Sequence, residues 1–277
     1  MSLSLQDVER ILSDLPPSPR MPAIFVGHGS PTNAIEDNPF TRSLAKLGSS
    51  FTEAPRAILV ISAHWLTSGI LVQAGVRPET IHDFAGFPEE LYRVQYPAPG
   101  APWYARATAG LLGAEAVETT EWGLDHGAWS VLRHIFPEAR IPVFQLSLDW
   151  ARKVDFHYEF AQALRPLRDR GVLILGSGNI VHNLRQSMPK FAAGDPRPFD
   201  WAVEFDAWVK GRLDARDYAA LARHGDAGQS ALLSVPSPDH YVPLLYAAAV
   251  SGPEEPVTQI YEEVCYGGIS MRTFRVG

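Results

Sequence analysis

Five of the nine histidines in this 277-residue chain sit in short, distinctive settings: His28 in "VGHGSP", His64 in "ISAHW", His126 in "GLDHGAW", His182 in "GNIVHNL" and His240 in "SPDHYVPLL". An imidazole that is neutral near pH 7 binds Zn, Fe, Cu or Ni, and it also moves protons at that pH. No HExxH is present, and a single cysteine, Cys265, excludes a cysteine-rich structural zinc site. Metal ligands would therefore converge from distant segments. Such a centre keeps coordination positions open to substrate, as a catalytic site requires. Gly27, Gly29 and Ala63, beside His28 and His64, let the backbone come close to an ion. The other four histidines read as ordinary: His134 and His157 fall in helical patterns, His224 in a polar loop, and His82 in "TIHDFAGFP" is undecided.

Other chemistries fit less well. "LGSGN" places Ser177 on a strand-to-loop turn, but Asn179 stands where a G-x-S-x-G elbow needs its second glycine. "GHGS" and "GSG" make neither a G-x-G-x-x-G nor a P-loop pattern, which argues against a nucleotide phosphate site.

Four β-branched apolar runs must carry these residues: "AIFVG" at 23–27, "RAILVISAH" at 56–64, "IPVFQLSLD" at 141–149 and "GVLILGSGN" at 171–179. Runs without polar alternation suit strands buried on both faces. Apolar residues three or four apart predict helices over 38–51, 102–113, 127–136, 155–170 and 200–213. The alternation predicts an α/β single domain, with a central, mostly parallel or mixed sheet and helices on both faces. "GGISMRTFRV", at 267–276, reads as a late strand on an edge. Pro243 is tolerated in the first turn of a helix, so a helix should start near Tyr241 or Val242 and leave His240 at its junction with the loop. In open α/β sheets ligands bind at the carboxyl ends of the strands, where His28, His64 and His182 fall.

A 46% hydrophobic content can bury a large core, while a net charge of -7 with no Lys/Arg run argues against nucleic acid. One cysteine, no apolar leader and no 18-residue apolar stretch point to a cytoplasmic protein that does not span a membrane. Residues 1–20 carry Leu5, Val8, Ile11, Leu12 and Leu15 at helical spacing before Pro16-Pro17. They read as an accessory helix and linker, suited to capping the domain or to contacts in a homo-oligomer, ahead of a catalytic domain over 21–277.

In that order, "PAIFVGHGSP", "RAILVISAHW", "GLDHGAWSVL", "ILGSGNIVHNL" and "PDHYVPLLYA" resemble the class III extradiol ring-cleavage dioxygenases (the LigB-like superfamily), in their 4,5-DOPA extradiol dioxygenase-like branch. The resemblance covers residues 21–277. It implies His28, His64 and His240 as metal ligands, His182 as an acid/base that can also approach the metal, and His126 as a catalytic residue facing the substrate. The implied partners are a catechol and O2, and the product is a ring-opened semialdehyde acid. Where many members of the superfamily use two histidines and a carboxylate, His240 supplies a third imidazole here. That change leaves more positive charge on one divalent ion, so Zn is expected in the isolated protein and Fe(II) for oxygenase activity. Tyr241 is expected to bind substrate and, with Trp65, to wall the pocket. Two rivals stay open from the sequence: a zinc-dependent hydrolase on the same histidines, and a non-catalytic metal-binding scaffold.

Overall fold

The computed structural model describes residues 5–277. The four apolar runs become β1 (Ala23–Gly27), β2 (Ala57–Thr67), β5 (Val143–Asp149) and β6 (Val172–Gly178). Shorter strands are β3 (Ile70–Gln73), β4 (Ala116–Thr119), β7 (Val257–Tyr261), β8 (Val264–Cys265), β9 (Ile269–Ser270) and β10 (Thr273–Val276). Eight of them form one mixed sheet in the order β4-β3-β5-β2-β6-β1-β10-β7, and β8 pairs with β9 apart from it. The central four, β5-β2-β6-β1, are parallel throughout, so their carboxyl ends share one rim.

Each central strand is buried on both faces, which is why its sequence shows no polar alternation. Phe25, Leu59, Ile61 and Ile174 face a core shared with Leu244 and Tyr246 of helix Val242–Ala249. Ile24, Val26, Ile58, Val60 and Leu175 face the opposite core, with Leu44 of helix Pro39–Ser49 and Trp129 of helix His126–Ile135. Full burial stabilises each such side chain by roughly 1.5–3 kcal/mol over exposure. Helices thus cover both sides of the sheet, and its site rim is held from two directions.

Three expectations are corrected. The strand at 267–276 is not an edge: β10 lies between β1 and β7, antiparallel to both, because the Phe274 ring packs 5.7 Å from that of Phe25 in the core. The edge falls to β7, whose residues stay partly exposed. The helix expected over 155–170 is α-helical only at Val154–Ala161 and continues as a 3-10 helix over Gln162–Arg170, where Pro166 has no N–H for an i→i−4 bond. Finally, β2 does not end at His64 but runs three residues further, to Thr67.

The helix Leu5–Leu12 lies against the domain, with Leu12 and Leu15 buried in the same core as Leu111 and Leu112. Residues 1–4 of the expected accessory segment lie outside the described residues. No helix among the described residues is long and apolar enough to cross a membrane.

Candidate active site

His28 follows β1 directly, and its backbone N–H donates to Gly178 O at the end of β6 (2.9 Å). His64 sits where the β2–β5 ladder is interrupted between Ile61 and Leu66. Next to it, Ser62 Oγ accepts from His64 N (3.2 Å) and donates to Asp125 Oδ1 (2.6 Å). Asp125 caps helix His126–Ile135 by accepting from Ala128 N, and it also accepts from Gln145 Nε2 at 2.7 Å. Residue 126 is thereby fixed to β2 and β5 as the first residue of its helix. His240 precedes helix Val242–Ala249, which has Pro243 in its first turn. Asn179 N donates to His240 O, and Gly178 is required there because a Cβ would collide with that carbonyl. His182 N donates to Ser234 O at 2.9 Å.

All five histidines meet at this rim. Their ring centroids lie 5.0 Å apart for His28–His64, 5.4 Å for His28–His240, 5.0 Å for His64–His240 and 3.8 Å for His64–His126. His182 stacks on His240 at 3.5 Å, with 8° between the rings. One ring nitrogen from each of His28, His64 and His240 falls in a group whose atoms are all within 4.8 Å of one another, and His28 Nε2 is 3.1 Å from His64 Nε2. Two nitrogens each about 2.1 Å from one ion are themselves about 3.0–3.4 Å apart.

The hydrogen bonds fix which nitrogen is available. Ser177 Oγ donates its proton to Gly127 O (2.6 Å), so it accepts from His28 Nδ1–H (2.9 Å) and leaves the His28 Nε2 lone pair free. His240 Nδ1 bonds to the Asp239 carboxylate, which leaves its Nε2 free in the same way. A histidine whose second nitrogen is held by a hydroxyl or carboxylate is the usual form of a metal ligand. These residues therefore fit a divalent ion held by His28, His64 and His240. Two overlapping groups, His64/Asp83/His126 and His182/Asp239/His240, also have donor atoms within 4.8 Å of each other.

Burial, and then the charges of the neighbouring histidines, push His28 and His64 well below the ordinary 6.5. Burial and then His240 push His182 down to about 3, against the pull of Asp239. All three are neutral near pH 7, the form a metal can bind. Asp83 is held below the usual carboxylate range: burial alone would raise it, but its bonds from His126 outweigh that. Asp125 moves the other way, raised by burial and by the Asp83 charge.

Tyr241 does not join the site, which corrects the expectation that it lines the pocket. It is 1% exposed, packs in the core and donates its hydroxyl to Leu221 O at 2.9 Å. Consecutive residues entering a helix point about 100° apart, so His240 facing the rim turns Tyr241 away. Trp65 is likewise buried, stacked on Trp122 with ring centroids 5.6 Å apart. Ser177 is wholly buried and serves His28. The remaining histidines stand apart from the cluster: His82 Nε2 bonds Val94 O, His134 Nε2 bonds Asn33 O, His157 lies between Tyr246 and Asp149, and His224 packs on Tyr241. Sequence reasoning missed Asp83, whose carboxylate takes both the backbone N–H and Nδ1 of His126 at 2.8 Å.

Residues 21–272 match the family described as the catalytic LigB subunit of aromatic ring-opening dioxygenase. The chain belongs to the LigB family. It is 43% identical over 265 residues to the 4,5-DOPA dioxygenase extradiol of Escherichia coli strain K12, covering 94% of this chain and 96% of that relative. The Beta vulgaris protein of the same description is 38% identical over 251 residues, covering 88% and 92% of the two chains. A crystal structure of an uncharacterized protein from Escherichia coli K12 superposes with a TM-score of 0.80 at 39% identity, covering 93% of this chain and all of that one. As a LigB-family protein the chain is an extradiol, ring-opening dioxygenase. The histidine rim is the candidate site of that activity.

Proposed function

We propose that this enzyme opens the ring of a catechol, a DOPA-like aromatic 1,2-diol, beside its two hydroxyls, giving a semialdehyde acid. The observation that carries this reading is the convergence of His28, His64 and His240, with the outward nitrogens of His28 and His240 tied to Ser177 and Asp239. Those three would hold one divalent ion, Fe(II) for turnover and Zn as commonly isolated. Such an ion would supply Lewis-acid charge that lowers the pKa of the diol, and would bring O2 and the diol together. Relatives named 4,5-DOPA dioxygenase extradiol support the choice of substrate.

The chain's other residues divide the proton work. Among the described residues no hydrogen bond engages the His182 ring, so the unprotonated nitrogen of the neutral ring would take a proton from the second hydroxyl and return it to the oxygen that needs it. Its place against His240 keeps it next to the bound diol. Among the described residues His126 Nε2 has no protein partner, and with Nδ1 bonded to Asp83 it would accept a hydrogen bond from a substrate O–H. Holding both reactants on one rim removes much of the entropy cost of bringing them together.

The test is anaerobic reconstitution with Fe(II), followed by a panel of catechols with O2 uptake and the yellow product monitored. Turnover with uptake of O2 is expected. Protein shown to contain Fe(II) that consumes no O2 with any catechol would overturn the reading, and ester hydrolysis by the zinc form would put a hydrolase in its place.

A further inference from the structure

Asp83 lies in the long segment between β3 and helix Pro102–Leu112, with its side chain 15% exposed. Three hydrogen bonds fasten this segment to the start of helix His126–Ile135. Ile81 N donates to Leu124 O and Leu124 N to Glu79 O, each at 2.7 Å, and Trp129 Nε1 donates to Ile81 O at 2.8 Å. Among these ties the Asp83 carboxylate grips one residue twice: Oδ1 accepts from His126 N and Oδ2 from His126 Nδ1. The His126 ring is also flanked by Phe84, edge-on at 5.5 Å, and by the ring of His64 at 3.8 Å.

We propose that Asp83 is a positioning residue of the ring-opening reaction, holding His126 in the Nδ1–H tautomer so that its Nε2 lone pair is presented to the substrate. This rests on the catechol reading above. A carboxylate has no proton to give, so the nitrogen it bonds must carry one, and the other nitrogen of a neutral ring is then an acceptor. With Phe84 and His64 packed against it the ring has little freedom to turn, and the double contact sets its depth as well as its tautomer. Asp239 makes the same kind of bond to His240, but that ring belongs with His28 and His64 to the three proposed above to hold the ion. The two aspartates therefore do one chemical job for two different ends: Asp239 for metal affinity, Asp83 for the substrate.

The test uses the iron-reconstituted full chain with Asp83→Asn, His126→Ala, the double variant and Asp239→Asn. An asparagine keeps the shape of Asp83 but turns an N–H toward Nδ1. Asp83→Asn is expected to lower kcat about 10- to 100-fold, with KM, iron content and unfolding midpoint held, and to cost nothing further when added to His126→Ala. Asp239→Asn is expected instead to weaken metal binding. An equal loss from Asp83→Asn in both backgrounds, or no loss in either, overturns the proposal. A second readout does not depend on turnover. In zinc-loaded, 15N-histidine-labelled protein, NMR should place the His126 proton on Nδ1 in the wild type and on Nε2 in Asp83→Asn. A wild-type proton on Nε2, or no change in the variant, overturns the role of Asp83 even if no catechol is turned over. Correct tautomers with no turnover of any catechol would count against the substrate reading instead.

Discussion

His28 and His157 are almost equally buried, 2% and 3% exposed, and burial is the main cause that pushes each below 6.5, His157 to about 4. Their partners differ. His157 uses both ring nitrogens within the fold, accepting from Tyr246 Oη at Nδ1 (3.0 Å) and donating from Nε2 to Asp149 O (3.3 Å). His28 gives one nitrogen to Ser177 and turns the other toward the nitrogen of another histidine. Burial and a shifted pKa are therefore common to a packing histidine and to one proposed as a metal ligand. The distinguishing feature is a lone pair that the fold orients and leaves without a donor of its own. His82 and His134, each bonded through Nε2 to a backbone carbonyl, differ from His28 in another way: among the described residues neither belongs to a group of side chains that could share an ion.

The largest effect expected from this contrast is on metal retention. His28→Ala, His64→Ala and His240→Ala should each lose stoichiometric metal and all measurable ring opening. His157→Ala should unfold about 2–4 kcal/mol more easily, through its cavity and the stranded Tyr246 hydroxyl, yet still bind one ion per chain. Metal analysis and denaturant unfolding of the four variants measure both quantities; full metal content in a rim variant would break the contrast.

Next in size is His182. Its ring stacks on His240 and is not one of the three proposed to hold the ion, so His182→Ala should keep the metal while turnover drops about 10²- to 10⁴-fold. Loss of metal in that variant would make His182 a ligand and move it into the group of His28. Ser177→Ala should be milder. With no oxygen to hold Nδ1–H, His28 is free to change tautomer, and metal affinity is expected to fall about 10- to 100-fold in a competition titration.

The smallest effect, taken one histidine at a time, is that of pH on the metal-free protein. His28, His64, His157 and His182 each bind a proton less readily in the fold than at the ordinary 6.5. The unfolded chain therefore takes up more protons as pH falls below 6.5. Stability should be full above that pH and decline below it by up to about 1.4 kcal/mol per pH unit for each histidine. Urea midpoints between pH 7.5 and 5 measure this, and a flat profile would contradict it. His157→Phe should remove one histidine's share of the slope without altering the stabilisation by added metal.

The parts of the fold that the sequence revealed are those whose neighbours are close along the chain. β1, β2, β5 and β6 stand out because burial on both faces leaves long apolar runs. Val257–Tyr261 and Ala116–Thr119 do not, since partly exposed strands of four or five residues carry little pattern. The helix expected over 127–136 starts one residue earlier, at His126 behind its Asp125 cap, while the start near Tyr241 is legible from Pro243. Five histidines could be named because each sits at a turn next to a readable element. Their supports could not: Ser177 lies 149 residues from His28, and Asp83 lies 43 from His126. The sequence left His82 undecided, whereas the side chain that bonds His126 is its neighbour Asp83. Tyr241 was misread because adjacency to His240 in the chain says nothing about which way two successive side chains point.

Three histidines, His28, His64 and His240, are proposed to share one ion. The most direct test is anomalous diffraction at the metal edge, on crystals of protein reconstituted with Fe(II) or Zn. A single peak within about 2.0–2.2 Å of Nε2 of His28, His64 and His240 is the predicted result. A peak bound instead by His182 and Asp239, or by Asp83 and His126, would contradict it.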